Sequence, residues 1–400
     1  MGCLNVSQSS KEPKKISIFG VTGSVGESTA DVVGYYAEDY SVGVVTANNN
    51  VEALAHQAIR LKANHAVIAN PDHYQALQEA LSGTDISCAS GSQALCEAAE
   101  MDADWVMMAI VGMACIEPFM HALKEGRTIA TANKEVLVAA GSLVLQKAKD
   151  LGATILPVDS EHNAIFQLLG DKAQINKIVL TASGGPFRHW SREKMQTATP
   201  EQAVKHPNWS MGQKISIDSA SMMNKGLEII EAHRLFDLSP VQIEVLIHPQ
   251  SIIHGMVEYH DGSIGAILAP TDMKTPITMA LDWPKRRKSP GKTLDLLELK
   301  ELHFESVDPK KFPAISLAYQ ALEAGDAACL TLNAANEIAV EAFLAREISF
   351  LEIVDCVKRM VEECSSTNFN TLDDIIERDR DVRSATKSYI TSSIQKKAAS

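Results

Sequence analysis

Residues 15–36 read KISIFGVTGSVGESTADVVGYY, in which a short apolar run meets a glycine-rich turn and then a helical pattern. The run Ile16–Phe19 predicts a strand, and 25–36 predicts a helix. A turn of this kind, GVTGSVG, lets a dinucleotide pyrophosphate approach the backbone and rest on the helix amino terminus. Its spacing differs from the commoner G-x-G-x-x-G, so a tight turn without a ligand is the alternative interpretation.

The alternation of short apolar runs with helical patterns continues to about residue 156. It predicts further strands and helices, the strands at 41–46, 66–69, 105–110, 128–130 and 154–158 and the helices at 51–61, 117–125 and 134–149. Strands and helices that alternate on this scale form a parallel sheet covered by helices on both faces. The sequence therefore predicts an α/β protein with a Rossmann-like domain at residues 14–150.

The pattern changes after residues 153–156, Ala-Thr-Ile-Leu. Residues 151–285 mix strands, such as 177–182 and 252–259, with long helical patterns, and their strands look antiparallel. This mixture predicts an α+β domain. The polar segments described below make it the expected catalytic domain.

The last third of the chain begins with a proline-rich, basic stretch. Residues 286–312 form a predicted linker, and the basic run 285–288 at its start is expected to be solvated. Residues 313–400 hold only helical patterns, which are amphipathic at 333–345 and 353–363. They predict a C-terminal helical bundle domain.

The composition excludes several classes of function. Lys and Arg number 37 against 50 Asp and Glu, so the formal net charge of the 400 residues is −13. Nonspecific nucleic-acid binding needs a basic surface, and the longest uncharged apolar stretch, 105–116, is too short to span a bilayer. We therefore expect no nucleic-acid and no membrane partner, whereas a small anion can bind a locally positive pocket.

Cysteine usage and the amino terminus indicate the compartment. Seven cysteines without a Cys-x-x-Cys pair indicate reduced, buried thiols rather than a disulfide or zinc framework. The amino terminus MGCLNVSQSSKEPKK has no apolar signal region and lacks the basic character of a transit peptide. We expect a cytoplasmic bacterial protein without a signal or transit peptide.

Residues 47–50, Ala-Asn-Asn-Asn, follow the second predicted strand. NAD enzymes place an acidic residue there to bind the ribose, and that carboxylate would repel a ribose 2′-phosphate. Its absence favours NADPH over NADH, although the loop holds no Arg or Lys either. Residues 14–150 are thus predicted to bind NADPH.

Two polar segments follow predicted strands, Asn133-Lys134-Glu135 and Asp159-Ser160-Glu161-His162. Ligands in open α/β sheets bind at the carboxyl ends of strands. Two carboxylates two residues apart can converge on one hard divalent cation, which would relieve their repulsion. Helix capping is the alternative interpretation for both segments.

A helix predicted at 219–236 carries a polar stripe. Ser221, Asn224, Lys225 and Glu228 follow the i, i+3, i+4, i+7 pattern, so they share one face of the predicted helix. A solvated surface is the alternative interpretation of such a face.

The stripe supplies a third carboxylate. Glu228 would complete a metal site with Asp159 and Glu161. Lys225 and the amide of Asn224 would bind a phosphate beside it. Gly226 in the same helix costs about 1 kcal/mol relative to Ala, which suggests that something packs closely on this face.

Two loops add to the predicted anion site. The turn TASGGP at 181–186 offers backbone N–H groups and a serine hydroxyl. The loop HPNWSMG at 206–212 lies between Lys205 and Lys214, and its tryptophan is unfavourable in water unless it closes over something, which predicts a lid. His206 alone is more often structural than catalytic.

Together these segments resemble the 1-deoxy-D-xylulose 5-phosphate reductoisomerase family. The resemblance rests on the blocks GVTGSVG from Gly20, ANKE from Ala132, PVDSEHNAIFQ from Pro157, TASGGPF from Thr181, HPNWSMGQKISIDSASMMNKGLEIIEAHRLF from His206, IHPQSIIHGMVEY from Ile247 and MKTPI from Met273. It extends from about Lys15 to the helical tail.

The resemblance implies a reaction in two stages at one site. A divalent metal (Mg²⁺ or Mn²⁺, with Co²⁺ as a further option) binds carbonyl and hydroxyl oxygens of 1-deoxy-D-xylulose 5-phosphate and promotes a carbon–carbon rearrangement. NADPH then reduces the resulting aldehyde to 2-C-methyl-D-erythritol 4-phosphate, in non-mevalonate isoprenoid biosynthesis.

The resemblance also implies roles for individual residues. The implied catalytic residues are Lys134, Asp159, Glu161, His206 and Glu228, of which the metal ligands are Asp159, Glu161 and Glu228. The implied substrate contacts are Lys134, Ser160, Ser183, His206, Trp209, Ser219, Asn224, Lys225 and Glu228. The implied NADPH contacts are Gly20, Thr22, Gly23, Ser24, Val25, Ala47, Asn48, Asn49, Asn50, Asn133, Glu135, Gly212 and Met273.

Many family members carry a Lys in loop 47–50, which this chain lacks, so no lysine of that loop is available to hold the 2′-phosphate. Another NAD(P)-dependent dehydrogenase of a phosphorylated or acidic substrate, and a noncatalytic nucleotide sensor, are the alternative functions, but neither explains the carboxylates and the polar stripe together. The strand-rich segment 247–269 and the resemblance suggest a homodimer, with strand 252–259 as a candidate edge.

Overall fold

The protein is described here by a computed structural model, which covers residues 12–209, 211–365, 367 and 369–399, with side chains up to 395. Residues 1–11, which include Cys3 and most of the amino-terminal segment on which the expectation of no leader peptide rests, lie outside the described residues. Within the described part of the chain, no helix is both long enough and apolar enough to cross a membrane. The six cysteines in that part form no disulfide.

The first sheet has seven strands, all parallel, in the order β4-β3-β2-β1-β5-β6-β7. They are β1 (Lys14–Phe19), β2 (Tyr40–Ala47), β3 (His65–Ile68), β4 (Ser87–Ser90), β5 (Trp105–Met108), β6 (Thr128–Thr131) and β7 (Thr154–Pro157). The connecting helices are α1 (Ser24–Tyr35), α2 (Val51–Arg60), α3 (Tyr74–Ala80), α4 (Ser92–Glu100), α5 (Ile116–Ala122) and α6 (Glu135–Leu151). The predicted parallel α/β sheet is confirmed.

The strand order reverses between β1 and β5, and the glycine turn lies at this point. Open parallel sheets bind ligands at such a switch, at the carboxyl ends of the strands. Gly20 has φ +88°, and a Cβ there would lie 2.6 Å from the Ala109 carbonyl oxygen that follows β5. The loops after β1 and β5 therefore touch, and only glycine fits at this contact.

The second sheet is mixed and has the order β11-β10-β8-β9-β12. Its strands are β8 (Ile175–Ala182), β9 (Ile243–Ile247), β10 (Ile253–Tyr259), β11 (Ile264–Leu268) and β12 (Glu305–Ser306). β8 and β9 are parallel, whereas the other pairs are antiparallel, as expected for this region. The expectation that strand 252–259 forms an edge is wrong, because β11 pairs with the outer side of β10.

The helices around the second sheet include one break that the sequence pattern did not indicate. They are α7 (Ser160–Leu168), α8 (Arg192–Met195), α9 (Pro200–Ala203), α10 (Gln213–Ser221), α11 (Met223–Phe236) and α12 (Lys274–Asp282). The helix predicted at 219–236 is interrupted at Met222, which adopts a left-handed conformation with φ 62°. Ser221 thus ends α10, and its hydroxyl donates to the Asp218 carbonyl oxygen instead of joining the polar stripe of α11.

The predicted linker is partly structured. It contains the short helix α13 (Leu296–Leu299) and β12. All four residues of the basic run 285–288 are exposed as expected. Arg287 in addition stacks on the Tyr36 ring and pairs with Asp39 and Asp282. This segment is therefore held against the first sheet at Arg287.

In the described residues after the linker, every regular element is a helix. These helices are α14 (Ala314–Ala324), α15 (Asp326–Leu344), α16 (Phe350–Glu362) and α17 (Leu372–Ala399). A Cβ at Gly226 in α11 would lie 3.2 Å from the Ala314 carbonyl oxygen and from the Ala318 Cβ. The close approach inferred at Gly226 is real, but α14 makes it, on a different face from the one predicted.

Candidate active site

A cavity of about 340 Å³ lies where the carboxyl ends of the first sheet face α10 and α11. Most of the residues predicted for the site line it, namely Ser24, Val25, Lys134, Asp159, Ser160, Glu161, Ser183, His206, Trp209, Gly212, Ser219, Asn224, Lys225, Glu228 and Met273. They come from segments far apart in sequence, which the fold brings to one place. Ser210, in the predicted lid loop, lies outside the described residues.

Three carboxylates converge in this cavity. One oxygen each of Asp159, Glu161 and Glu228 lies within 4.8 Å of the others. Asp159 also caps α7, because its Oδ1 accepts a hydrogen bond from the Glu161 N–H at 3.2 Å. Capping and convergence are thus compatible at Asp159. The donor set consists of oxygens, which fits a hard divalent cation.

Two lysines approach the carboxylates. Lys134 Nζ lies 2.8 Å from Asp159 Oδ2 and 3.2 Å from Glu228 Oε1. Lys225 Nζ lies 2.7 Å from Glu161 Oε1 and also contacts Glu228 Oε2. Their ammonium groups neutralise a buried negative cluster, which is the role a bound cation would share.

The cluster shifts the pKa of its members in opposite directions. Burial would raise the pKa of Asp159, but Lys134 and His162 outweigh it and hold that pKa well below the usual value. Burial and the charges of Asp159 and Glu161 raise the pKa of Glu228. A nearby positive charge therefore favours the fully ionised set of carboxylates.

His162 and Glu231 extend the cluster, and no role was predicted for either from the sequence. His162 Nδ1 lies 3.2 Å from Asp159 Oδ1 and 3.3 Å from Glu231 Oε2, while its Nε2 lies 2.9 Å from the Glu228 carbonyl oxygen. Burial would lower the pKa of His162, but Glu231 and Asp159 outweigh it and raise that pKa to about 9. The position of Glu231 three residues after Glu228 on α11 was the available signal.

His206 and Ser183 form a second polar group in the cavity. His206 Nδ1 accepts hydrogen bonds from the backbone N–H groups of Asn208 at 3.2 Å and Trp209 at 2.9 Å. Its Nε2 therefore carries the proton and donates to Ser183 Oγ at 2.8 Å. Burial lowers the pKa of His206 to about 4, although Glu161 opposes this shift. The imidazole is a neutral donor at neutral pH.

Nine of the predicted cofactor residues do not line this cavity, namely Gly20, Thr22, Gly23, Ala47, Asn48, Asn49, Asn50, Asn133 and Glu135. Several of their side chains have local roles. Asn133 Oδ1 accepts from the Val136 N–H at 2.7 Å, so it caps α6, and Asn50 caps α2 in the same way. The helix-capping interpretation left open for Asn133 is thus observed.

Some cavity residues were missed by the sequence analysis, namely Ser28, Ala132, Ile215, Met222, Ser251, His254, Thr271 and Asp272. The His254 ring lies 6.1 Å from the Trp209 ring, and Ser251 Oγ accepts from Asn208 Nδ2 at 2.8 Å. A histidine in the apolar run 252–257 was the one local signal. Loop contacts of this kind depend on tertiary structure.

Comparison with known proteins identifies the family to which this site belongs. Models of 1-deoxy-D-xylulose 5-phosphate reductoisomerase and of its C-terminal domain match residues 16–141, 155–236 and 268–385. The reductoisomerase of Rhodospirillum centenum is 51% identical over 372 residues, which cover 92% of each chain. That of Zymomonas mobilis is 48% identical over 374 residues, covering 93% of this chain and 96% of the relative.

Solved structures agree with these relatives. The reductoisomerase from Zymomonas mobilis in complex with NADPH matches with a TM-score of 0.90 and 46% identity over 95% of this chain and 99% of that one. A DOX-P reductoisomerase in complex with NADPH, fosmidomycin and magnesium matches with a TM-score of 0.91 and 43% identity, over 94% and 98% of the two chains. The chain belongs to the 1-deoxy-D-xylulose 5-phosphate reductoisomerase family.

Proposed function

We propose that this protein converts 1-deoxy-D-xylulose 5-phosphate to 2-C-methyl-D-erythritol 4-phosphate, with NADPH and a divalent metal, in non-mevalonate isoprenoid biosynthesis. The observation that carries the proposal is the convergence of Asp159, Glu161 and Glu228 in a cavity that opens at the switch point of a parallel sheet. Family membership supports the same reaction, since related structures hold NADPH and magnesium. A dehydrogenase without rearrangement would need no such carboxylate set.

The three carboxylates would hold the metal. When bound, Mg²⁺ or Mn²⁺ would act as a Lewis acid on the carbonyl and hydroxyl oxygens of the substrate. Lys134, already within 3.2 Å of Asp159 and Glu228, would carry positive charge next to the reacting carbons. Ser160 donates to Glu161, which orients that carboxylate toward the others.

The substrate phosphate would bind on the far side of the carboxylates, at Ser183, Ser219, Asn224 and Lys225. Lys225 has a side chain only 3% exposed and lies at the cavity wall, so its ammonium group is poorly hydrated and suited to an anion. His206, which is neutral, would donate its Nε2–H at the Ser183 hydroxyl and would add no charge to the phosphate site. Binding energy from the phosphate, which lies away from the reacting carbons, would favour closure of the site.

NADPH, which supplies the hydride, would lie along the glycine turn, with Ser24, Val25 and Met273 at the cavity wall. Loop 47–50 would lie near the ribose, because it follows β2 at the same sheet edge. The Trp209 loop would close over the bound molecules and exclude water from the reacting aldehyde. His254, whose ring faces Trp209, would be part of the surface that receives it.

We also propose an oligomeric state, a location and a division into domains. The exposed edge strand β11, with Ile264 61% exposed, supports a homodimer that extends the second sheet. The unpaired cysteines of the described chain support a cytoplasmic location. The division into residues 14–150, 151–285, the linker 286–312 and 313–400 follows the two sheets except at two strands. β7 (154–157) pairs in the first sheet, and β12 (305–306) pairs in the second.

A spectrophotometric assay tests the function. Purified protein with 1-deoxy-D-xylulose 5-phosphate and NADPH should consume the near-ultraviolet absorbance of NADPH only when Mg²⁺ or Mn²⁺ is added. The product should be 2-C-methyl-D-erythritol 4-phosphate by mass spectrometry and NMR. NADPH oxidation without metal, or a straight-chain reduced product, would instead indicate a simple dehydrogenase.

A further inference from the structure

Lys214 is a cation in the first turn of α10, where the helix dipole disfavours positive charge. Its Nζ lies 2.9 Å from Asp218 Oδ2 on the same helix and 3.2 Å from Glu135 Oε1 on α6. These carboxylates are almost fully buried, with side chains 1% and 7% exposed. Because unpaired charges are very unfavourable at such sites, the ammonium group is an obligatory partner of both.

The pKa values agree with this geometry. Burial would lower the pKa of Lys214, but the charges of Asp218, Glu135 and Glu337 outweigh it and raise that pKa. Burial would raise the pKa of Glu135, but Lys214 outweighs it and lowers that pKa. The ion pair between α10 and α6 is therefore fully charged at neutral pH.

The two ends of this ion pair lie next to opposite walls of the cavity. Glu135 follows Lys134 directly, and Lys134 binds Asp159 and Glu228. Lys214 precedes Ile215, and one turn later Ser219 also lines the cavity. Lys214 itself does not line it, so any effect on the reaction must pass through its partners.

The C-terminal helices hold this link from behind. Asp218 Oδ1 accepts a hydrogen bond from Asn336 Nδ2 on α15 at 2.8 Å. The adjacent Glu337 accepts one from Arg383 on α17. The position of Lys214 is thus fixed by three parts of the chain, α6, α10 and the helical tail.

We propose that Lys214 is a positioning residue for the reaction, which fixes the wall that carries Ser219 relative to the wall that carries Lys134. The inference rests on the proposed function. It means that Glu135 serves the reaction through Lys214, in addition to any contact with the cofactor. A misplacement of about 1 Å between reacting groups can lower a rate about a hundredfold, so a rigid link is needed there.

Steady-state kinetics of Lys214→Met and Lys214→Arg test the proposal. We expect Lys214→Met to lower kcat about tenfold or more, because the reacting groups lose their alignment. NADPH affinity, measured by fluorescence, should stay unchanged. Lys214→Arg keeps the charge and should recover most of kcat. Lys205→Met is the matched control, since Lys205 borders the other end of the loop 206–212 and is exposed.

A second variant separates positioning from stability. Lys214→Met leaves both Glu135 and Asp218 without their ammonium partner, so thermal unfolding is measured in parallel. The double variant Lys214→Met/Glu135→Gln removes one of these buried charges, while Asp218 keeps its hydrogen bond from Asn336. If stability returns in the double variant while kcat stays low, the positioning role is supported. If kcat returns together with stability, the proposal is overturned.

Two other results would also overturn it: an unchanged kcat in Lys214→Met, or an equal loss in Lys205→Met. Should Lys214→Met not fold, Glu135→Gln alone decides, because it weakens the same link and leaves Lys214 paired with Asp218. Failure of the proposed function is distinct, since the unmodified protein would then not turn over the substrate at all.

Discussion

Lys134 Nζ lies 3.2 Å from Glu228 Oε1, although 94 residues separate the two in the chain. Lys134 directly precedes α6, a helix beside the first sheet, whereas Glu228 lies on α11, beside the second sheet. The other carboxylate oxygen of Glu228 contacts Lys225. With a side chain 1% exposed, Glu228 is therefore the buried anion on which both lysines converge.

Glu228→Gln should abolish metal-dependent turnover. The amide keeps the size of the side chain but removes its negative charge. That charge would bind the metal, and it pairs with the ammonium groups of Lys134 and Lys225. We expect kcat to fall at least about a hundredfold, as for loss of a major electrostatic contributor to catalysis. NADPH binding, measured by fluorescence, should change little, because Glu228 lies on the substrate side of the cavity.

Asp237→Asn is the matched control for Glu228→Gln. It also removes one acidic charge, from an exposed residue just past the end of α11, and asparagine tolerates the positive φ of 53° there. Its kcat should stay within about twofold of the unmodified protein, as for most exposed surface changes. Unchanged turnover in Glu228→Gln would exclude this carboxylate as a metal ligand.

Lys225→Ala should raise KM for the substrate far more than KM for NADPH. A hydrogen bond to a charged group contributes about 1.5–3 kcal/mol, so loss of a phosphate contact predicts an increase in KM of about tenfold or more. Lys225→Arg should recover part of this loss, and Lys205→Ala is the exposed control. Equal effects on both KM values would argue against a phosphate clamp.

The fold followed from local features of the sequence to a large extent. The strand, glycine turn and helix of residues 15–36 depend on alternation and on Gly20, which are visible without tertiary contacts. The break at Met222 was not visible. A Cβ at Gly185 would lie 2.7 Å from the Ser219 carbonyl oxygen, so the turn after β8 packs against the end of α10. The sequence pattern of 219–236 contains no trace of that contact.

The site divides in the same way. Asp159, Glu161 and Glu228 were predicted because strand ends and helix stripes place them, and the resemblance selected among the alternatives. The pairing of Glu135 with Lys214 was not predicted, since it joins elements 79 residues apart. The contact of His162 with Glu231 is likewise set by how α7 and α11 pack. Local patterns indicate which side chains are polar, but not which buried charge each one meets.

The pKa of His206 predicts a pH dependence of stability. In the unfolded chain a histidine takes a proton near its usual pKa of 6.5, whereas folded His206 does so only near pH 4. Between these values the unfolded state binds more protons, so this contribution is complete above pH 6.5 and is lost as the pH falls toward 4. Because His206 is partly exposed, we expect a loss of roughly 1 kcal/mol between pH 7 and pH 5.

Denaturant unfolding at pH 7 and pH 5 checks this prediction. The free energy of unfolding of His206→Gln should fall less over this interval than that of the unmodified protein. His56→Gln, at an exposed site on α2, controls for the removal of a histidine. An identical pH dependence in the unmodified protein and His206→Gln would mean that His206 is not held neutral by the fold.

Gly26 and Gly34 lie on the same helix and predict opposite responses to alanine. A Cβ at Gly26 would lie 2.0 Å from the Gly20 carbonyl oxygen, whereas none of the surrounding atoms would lie within 4 Å of a Cβ at Gly34. Gly26→Ala must push α1 away from the glycine turn, which should cost about 3 kcal/mol of the free energy of unfolding. Gly34→Ala gains helix propensity and should stabilise the protein by about 0.5–1 kcal/mol.

If the turn holds the cofactor pyrophosphate, NADPH affinity should fall in Gly26→Ala and stay constant in Gly34→Ala, as fluorescence titration can measure. Equal affinities in the two variants would mean that the turn connects β1 to α1 without binding NADPH.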